Sequence, residues 1–169
     1  MEEVCGDIWQ YPADVICITT NGSVKNDGRA VMGRGVALQA KQRWPELILD
    51  DILGRQLRAG DLHVSVLAAV KTAEILGRRL RLDDVHGAAR RELVLLSFPV
   101  KYRWHEAADL VLIGNSAHEL ADLAKMCPEI VFVLPRPGCG NGRLKWEDVK
   151  PILLPILPDN VHVITNNGS

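Results

Sequence analysis

The sequence predicts an α/β fold, a three-layer α/β/α sandwich around a mixed, mostly parallel central sheet. Short runs rich in β-branched residues alternate with helical patterns along the 169 residues, in the order β-α-α-β-β-α-β-α-β. Most strand runs are apolar nearly throughout, which is typical of a sheet that helices cover on both faces. Ligands bind such sheets at the carboxyl ends of the strands, and the functional residues are therefore expected there.

The predicted strands are apolar runs, and the first two helices end at clear stop signals. The strands are residues 15–20, 62–67, 93–98, 130–134 and 161–165. A helix over Gly35–Arg43 ends before Pro45, because the residue that precedes a proline avoids helical geometry. A second helix over residues 48–59 ends at Gly60, since glycine favours the backbone conformation that terminates helices.

Two further helices are predicted in the second half of the chain. Ser116 is expected to cap a helix that runs to about Met126, and Glu119 completes the pattern of a capping box. The last helix covers residues 145–157 and is interrupted by Pro151.

Composition and charge exclude several classes of protein. Hydrophobic residues make up 47% and charged residues 24%, as in globular proteins. The net charge of −1 excludes a protein that binds DNA through bulk positive charge. No apolar run is long enough to span a membrane, and the acidic N-terminus does not resemble a secretory signal. We expect a monomeric cytoplasmic protein whose residues 1–169 form one domain, with no membrane partner.

The cysteines give no support for a metal site. They are widely scattered, and no two of them form a C-x-x-C pair: Cys5, Cys17, Cys127 and Cys139. Cys17 lies in an apolar run and is predicted to be a buried free thiol. Cys139 stands between two glycines. We interpret it as a small residue that fits a tight turn rather than as a nucleophile.

Residues 71–103 carry a local surplus of positive charge. Eight basic residues stand there against four acidic ones, in a chain whose net charge is −1. The simpler interpretation is a solvated surface of mixed charge, and the alternative is a face that binds a polyanion.

Two glycine-rich loops are the strongest candidates for a ligand site. The first glycine loop comprises Met32, Gly33, Arg34, Gly35 and Val36 and leads into a helix. The second glycine loop follows a strand and comprises Pro137, Gly138, Cys139, Gly140, Asn141 and Gly142. Glycines let backbone N–H groups approach phosphate oxygens, but neither loop has a Walker or dinucleotide-binding pattern. Either loop alone could as well be a structural turn as a ligand site. The presence of both in one small domain predicts a ligand that carries a diphosphate.

Three polar residues near predicted strands could act on such a ligand. Asp7, beside Ile8, could accept a hydrogen bond from an amino group such as that of adenine, or could simply form a turn. Asn21 follows the first strand and could bind a sugar hydroxyl or cap the strand. Lys101 follows another strand, flanked by proline and aromatic residues; partial desolvation there would make its amine nucleophilic, although most lysines are solvated.

Taken in order along the chain, these motifs resemble the macrodomain family of ADP-ribose-binding modules. The similarity covers nearly the whole sequence. The stretches 97–101, 134–140 and 144–149 are similar to one branch of that family. This branch holds human terminal ADP-ribose protein glycohydrolase and the antitoxin glycohydrolases that remove ADP-ribose from DNA.

The resemblance implies a role for each candidate residue. Asp7 and the backbone of Ile8 would bind adenine, Asn21 and the first glycine loop the distal ribose, and the second glycine loop the diphosphate. Lys101 matches the catalytic lysine of that branch, which is thought to attack the anomeric carbon of the distal ribose. No metal and no cofactor would be needed.

The sequence departs from the family pattern in several places. Gly142 stands where the human enzyme has an aspartate that partners its lysine, and Ile18 replaces an asparagine that is common in the first strand. His105 and His118 are candidate replacements for the aspartate, although a single histidine is more often structural or solvated. No residue can be assigned to stack on adenine.

The resemblance implies a hydrolase that acts on ADP-ribosylated protein carboxylates, ADP-ribosylated DNA bases or O-acetyl-ADP-ribose. The expected partners are ADP-ribose, or a protein or DNA that carries it. Two alternatives remain open: a reader that binds ADP-ribose without turnover, and a phosphatase of ADP-ribose-1″-phosphate.

Overall fold

The central sheet has six strands in the computed structural model, which describes residues 1–71 and 81–166. They are β1 (Glu2–Cys5), β2 (Val15–Asn21), β3 (Ser65–Ala69), β4 (Val94–Lys101), β5 (Phe132–Pro135) and β6 (Val161–Thr165). The strand order is β1-β6-β5-β2-β4-β3, and β3 alone in this sheet pairs antiparallel with its neighbour. The prediction of a mixed, mostly parallel sheet is confirmed.

Helices cover both faces of this sheet. They are α1 (Gly35–Arg43), α2 (Leu49–Arg58), α3 (Val85–Ala89), α4 (Leu110–Met126) and α5 (Trp146–Leu153). Side chains alternate along β2: Val15 and Cys17 join the core beneath α3, α4 and α5, whereas Ile16 and Ile18 join the core beneath α1 and α2. Each strand face therefore buries its own apolar set, which explains why the strand runs lack polar alternation.

Several predicted boundaries are wrong. β1 was not predicted, because only one of its four residues is even half-buried. β3 begins at Ser65 rather than at residue 62. The last helix ends at Leu153 rather than at residue 157, with Pro151 inside it.

The start of α4 is the largest correction. The helix begins at Leu110, and its N-cap is Asp109, whose Oδ1 accepts a hydrogen bond from Leu112 N at 2.9 Å. Ser116 lies inside the helix and donates to Pro99 O at 2.7 Å. Glu119 accepts from Val64 N at 3.0 Å, so the supposed capping box is a set of tertiary contacts instead.

The prediction that Cys17 is a buried free thiol is confirmed. All four are free thiols, and Cys17 is fully buried, which raises the pKa of its thiol. Within residues 1–71 and 81–166, no three histidine, cysteine or acidic side chains lie close enough together to hold a metal ion. In the same ranges, no helix has the length and apolar character needed to cross a membrane.

Candidate functional site

The parallel pairing of β2 and β4 brings two predicted site residues together. Asn21 and Lys101 end their strands opposite each other, across a register shift that follows Thr20. Asn21 supports the loop that leads to α1, because its Nδ2 donates to Val31 O at 3.0 Å and its Oδ1 accepts from Ser23 N at 2.9 Å. The two residues thus lie at the carboxyl edge of the sheet, as predicted.

Lys101 is a buried lysine held by backbone carbonyls. The residue is only 9% exposed, and its Nζ donates to Trp104 O at 3.0 Å and to Asn141 O at 3.3 Å. A neutral amine has two N–H groups and one lone pair. If both N–H groups are used by these carbonyls, the lone pair is left free to attack an electrophile.

The surroundings of Lys101 favour its neutral form. Burial lowers the pKa of the amine, and the positive charges of Arg143 and Arg34 lower it further. Desolvation and nearby like charges both penalise the ammonium ion, so the neutral amine is populated at a lower pH than for an exposed lysine.

The two glycine loops meet beside this lysine. Gly35 has a φ of 58°, and a Cβ atom on it would lie 3.2 Å from Asn141 Nδ2. Because Asn141 O also accepts from Lys101 Nζ, one residue joins the first glycine loop, the second glycine loop and the lysine. The structure therefore brings together parts of the chain that are separated by more than a hundred residues.

The second glycine loop closes on itself too tightly for side chains at two positions. Gly138 has a φ of 76°, and Leu144 N donates to its carbonyl at 2.9 Å. A Cβ atom on Gly142 would lie 2.5 Å from Gly138 O and 2.8 Å from Ala108 Cβ. An aspartate at residue 142 would not fit this loop. The presence of Gly142 in place of an aspartate therefore goes with a different backbone conformation and is not a simple exchange of side chains.

The first glycine loop presents mainly backbone. The side chain of Met32 is buried in the core at 1% exposure, whereas Gly33, Arg34 and Gly35 are exposed. Val36 is half-buried and lines the cleft described next.

A cleft of about 1100 Å³ opens next to the meeting point of the loops. Six of the predicted ligand-binding residues line it: Asp7, Ile8, Gly35, Val36, Cys139 and Gly140. The other predicted residues are not part of its wall: Asn21, Met32, Gly33, Arg34, Lys101, Pro137, Gly138, Asn141 and Gly142. The site accordingly has two parts, the cleft and the region around Lys101, which the glycine loops connect.

Asp7 lies exposed at the wall of the cleft. Its Oδ1 accepts a hydrogen bond from Trp9 N at 2.9 Å, and its carbonyl accepts from Gln10 N and Tyr11 N. The residue forms a turn, which was the simpler of its two interpretations, and it also lines the cleft. The neighbouring Ile8 side chain is buried in the core.

Aromatic and cationic residues of the cleft were missed by sequence reasoning. Trp9 and Trp146 both line it, and the Arg136 guanidinium lies 4.8 Å from the centre of the Trp146 ring. Trp146 Nε1 also donates to Glu3 Oε1 at 3.0 Å, and Lys150 and Trp146 together lower the pKa of the Glu3 carboxyl despite its partial desolvation. The one feature of the sequence that could have indicated Trp9 is its position two residues after the candidate Asp7.

The two candidate histidines do not contact Lys101 within the described part of the chain. His105 is exposed, and its ring packs against the Trp104 ring with centroids 5.4 Å apart. His118 is exposed on α4. Neither position supplies a partner that would replace an aspartate beside the lysine amine.

The basic segment 71–103 does not form one patch in the residues that the structure describes. Part of it, residues 72–80, lies outside those residues. Lys101 is buried, and Arg90 pairs with Glu129 at 3.0 Å on the amino-terminal side of β4. Arg103 lies instead next to the lysine site, where it approaches Glu106 at 3.8 Å.

Comparison with known proteins gives a consistent result. No family model matches the sequence. Two curated proteins named DNA ADP-ribosyl glycohydrolase, from Mycobacterium bovis and Mycobacterium tuberculosis, are each 28% identical over 124 residues. The match covers 73% of this chain and 31% of each relative, so the matched region is less than a third of their length.

Solved structures show the same likeness across nearly the whole chain. The macrodomain of Mycobacterium tuberculosis DarG superposes with a TM-score of 0.69 at 25% identity, covering 99% of this chain and 98% of that one. The Thermus aquaticus DarG macrodomain gives 0.67 at 22% identity, covering 98% and 97%. Thermosipho africanus DarTG in complex with ADP-ribose gives 0.68 at 19% identity, covering 99% and 42%. The chain therefore has the macrodomain fold and is similar to the macrodomains of the DarG branch.

Proposed function

We propose that this macrodomain binds ADP-ribose and hydrolyses the bond between its distal ribose and a modified target, with DNA as the target class. The observation that carries the proposal is the buried Lys101 amine, whose pKa is lowered, at the junction of two glycine loops. Burying an amine costs stability, which the hydrogen bonds to two carbonyls offset only in part, so a buried lysine at this place indicates a functional role. It is suited to nucleophilic attack on a sugar carbon.

The cleft offers groups that suit each part of the ligand. The Asp7 carboxylate would accept from the adenine amino group above Ile8, and the second glycine loop would donate backbone N–H groups to the diphosphate. The distal ribose would lie among Asn21, Gly33, Arg34, Gly35 and Val36. Trp9 or Trp146 supplies the aromatic surface for adenine that could not be assigned from sequence.

The reaction needs only a nucleophile, a proton and water. The neutral Lys101 amine attacks the anomeric carbon of the distal ribose, and the bond from that carbon to the target breaks. The target atom leaves with the electron pair and takes up the proton that the lysine nitrogen loses. Water then displaces the lysine from the same carbon, releasing ADP-ribose and restoring the amine.

The names of the relatives support DNA as the target class. The two mycobacterial relatives are called DNA ADP-ribosyl glycohydrolases. ADP-ribosylated carboxylates of proteins and O-acetyl-ADP-ribose carry the same ribose carbon, so they are the substrates against which DNA must be compared.

The test compares release of free ADP-ribose by the wild-type protein and Lys101→Ala. The substrates are an ADP-ribosylated oligonucleotide, a glutamate-linked ADP-ribosyl peptide and O-acetyl-ADP-ribose. We expect the wild type to act most efficiently on the oligonucleotide, and Lys101→Ala to lose at least about 100-fold, as for removal of a nucleophile. Leu154→Ala, an exposed change directly after the end of α5, should match the wild type. Equal rates for Lys101→Ala and the wild type would contradict the proposal.

A second function is favoured by one observation. The second glycine loop has no room for a carboxylate at Gly142, and within residues 1–71 and 81–166 the Lys101 amine is bonded to backbone carbonyls and forms no ion pair with an acidic residue. A site without an acid or base partner suits a reader that binds ADP-ribose without turnover. Binding of ADP-ribose without release from any substrate, and with equal affinity for the wild type and Lys101→Ala, would establish that function. Release of inorganic phosphate from ADP-ribose-1″-phosphate would instead indicate a phosphatase.

A further inference from the structure

Two large aromatic side chains lie exposed directly after Lys101. Tyr102 is 49% exposed and Trp104 is 54% exposed, although most residues of this size are largely buried. The proposed chemistry of Lys101 does not use either ring. Exposed aromatic rings beside a reactive group are therefore available to contact whatever is attached to the distal ribose.

The backbone of Trp104 is fixed at both ends of the residue. Its N–H donates to Ser23 Oγ at 3.0 Å, and its carbonyl accepts from Lys101 Nζ at 3.0 Å. The His105 ring packs edge-on against the indole at an interplanar angle of 76°. The backbone that carries the ring is thus fixed by two hydrogen bonds, one of them from the Lys101 amine, and the His105 ring packs against the indole, so little ordering would be needed on binding.

Positive charge surrounds the same position. Arg143 and Arg34 are close enough to Lys101 to lower the pKa of its amine. Arg103 lies between the two aromatic residues in sequence and is partly offset by Glu106. Aromatic rings next to cationic side chains are the combination that binds single-stranded nucleic acid, through base stacking and phosphate contacts.

We propose that the Trp104 ring, assisted by Tyr102, stacks on the nucleobase that carries the ADP-ribosyl group and so sets the preference of the site for nucleic acid. The inference rests on the proposed hydrolase function and assigns a specificity residue to it. A nucleobase offers a flat π-face to an indole, whereas a glutamate side chain offers none. The loss of Trp104 should therefore affect substrates in proportion to how much of their affinity comes from a base.

The test measures kcat/KM of Trp104→Ala and Trp104→Phe on two substrates, the ADP-ribosylated single-stranded oligonucleotide and the glutamate-linked ADP-ribosyl peptide. Base stacking is worth a factor of about 10 or more, so Trp104→Ala should lose about 10-fold or more on the oligonucleotide and stay within about twofold on the peptide. Trp104→Phe should recover most of that loss. Both variants keep the backbone carbonyl that holds Lys101, and Leu154→Ala again serves as the exposed control.

A binding measurement separates this inference from the hydrolase proposal. In the Lys101→Ala background, the intact ADP-ribosylated oligonucleotide should bind about 10-fold or more tightly than free ADP-ribose, and adding Trp104→Ala should remove the difference. If that holds while the wild type hydrolyses nothing, the hydrolase proposal fails and the base contact stands. An equal loss on both substrates, no loss on either, or no effect of Trp104→Ala on binding would overturn the inference. A larger loss on the peptide would show that the aromatic surface recognises protein instead.

Discussion

In the proposed reaction, the reactivity of the site depends on Lys101, whose ammonium ion the surroundings disfavour. Lys101 loses hydration by burial and also faces the positive charges of Arg143 and Arg34. Both effects act on the ammonium ion and leave the neutral amine unchanged. The desolvation of this lysine lowers the stability of the fold. It also favours the neutral amine, which is the form of the side chain that can attack carbon.

The pH dependence of hydrolysis should show this directly. The single-turnover rate should rise with pH as Lys101 deprotonates, with its midpoint below the ordinary lysine pKa of about 10.5. Arg143→Gln removes one of the charges that disfavour the ammonium ion, so the midpoint should move to higher pH. Arg55→Gln, an exposed change on α2, should leave it in place. A midpoint that Arg143→Gln shifts downward, or a rate that falls as pH rises, would contradict this assignment.

The candidate site was only partly predictable from its residues. The glycine loops and Lys101 were found because glycine spacing and a lysine after a strand are local signals, and the structure brings Gly35, Asn141 and Lys101 together. Trp146 was missed because it enters the cleft through contacts with Arg136 and with Glu3, which is far away in the sequence. No local pattern encodes a contact between the first strand and the last helix.

At the scale of elements, a glycine without a side chain lets helix α2 pack directly against the backbone of a loop. Gly54 lies in the middle of α2, and a Cβ atom there would lie 2.2 Å from Gly28 O and 2.9 Å from Ala30 N. The close approach holds the chain that connects Asn21 to the first glycine loop. Ala30 N in turn donates to Asp50 O at 2.9 Å, so α2 fixes this connection by backbone contacts.

Two glycine-to-alanine changes in helices should therefore have opposite effects. Alanine is the better helix former by about 1 kcal/mol, so Gly114→Ala in α4, where a Cβ atom would sit 3.6 Å from Ile152, should raise the free energy of unfolding. Gly54→Ala should lower it by about 1–3 kcal/mol, because the loop backbone cannot move away freely. Urea denaturation of both variants checks the pair. A stabilised Gly54→Ala would mean that the loop yields and does not depend on this contact.

The errors in the predicted elements concern residues whose contacts lie far away in the sequence. The Ser116–Glu119 spacing matched a capping box, but Ser116 donates a hydrogen bond to Pro99 O and Glu119 accepts one from Val64 N. β1 was missed because it is an edge strand whose residues pair only with β6 and remain mostly exposed. Strands with two buried faces were found because burial itself makes their sequence apolar.

At the scale of the whole molecule, charge is distributed so that the site stands out from a nearly neutral chain. The net charge of −1 gives no general attraction for polyanions. Described basic residues of the segment 71–103 divide between the two ends of β4, with Arg90 paired to Glu129 at one end and Arg103 beside Lys101 at the other. Attraction for a nucleic-acid strand would thus be local to the carboxyl edge of the sheet.

This arrangement predicts that kcat/KM falls only weakly as the salt concentration rises, and that it falls more for the oligonucleotide than for a substrate without a strand. Each phosphate that a cation neutralises on a single strand contributes a slope of about −0.7 to log kcat/KM against log salt, where binding limits the rate. If Arg34, Arg103 and Arg143 each meet one phosphate, hydrolysis of the ADP-ribosylated oligonucleotide should have a slope of about −2, and O-acetyl-ADP-ribose, which has no strand, a shallower one.

The contribution of a single cation can be read from paired variants. Arg103→Gln should reduce the slope for the oligonucleotide by about 0.7, whereas Arg90→Gln, at the opposite end of β4, should leave it unchanged. The measurement is kcat/KM between about 50 and about 200 mM salt for both variants. Equal slopes for the oligonucleotide and O-acetyl-ADP-ribose would show that the strand does not touch these cations. A reduction by Arg90→Gln equal to that by Arg103→Gln would place the strand along the whole basic segment rather than at the carboxyl edge of the sheet.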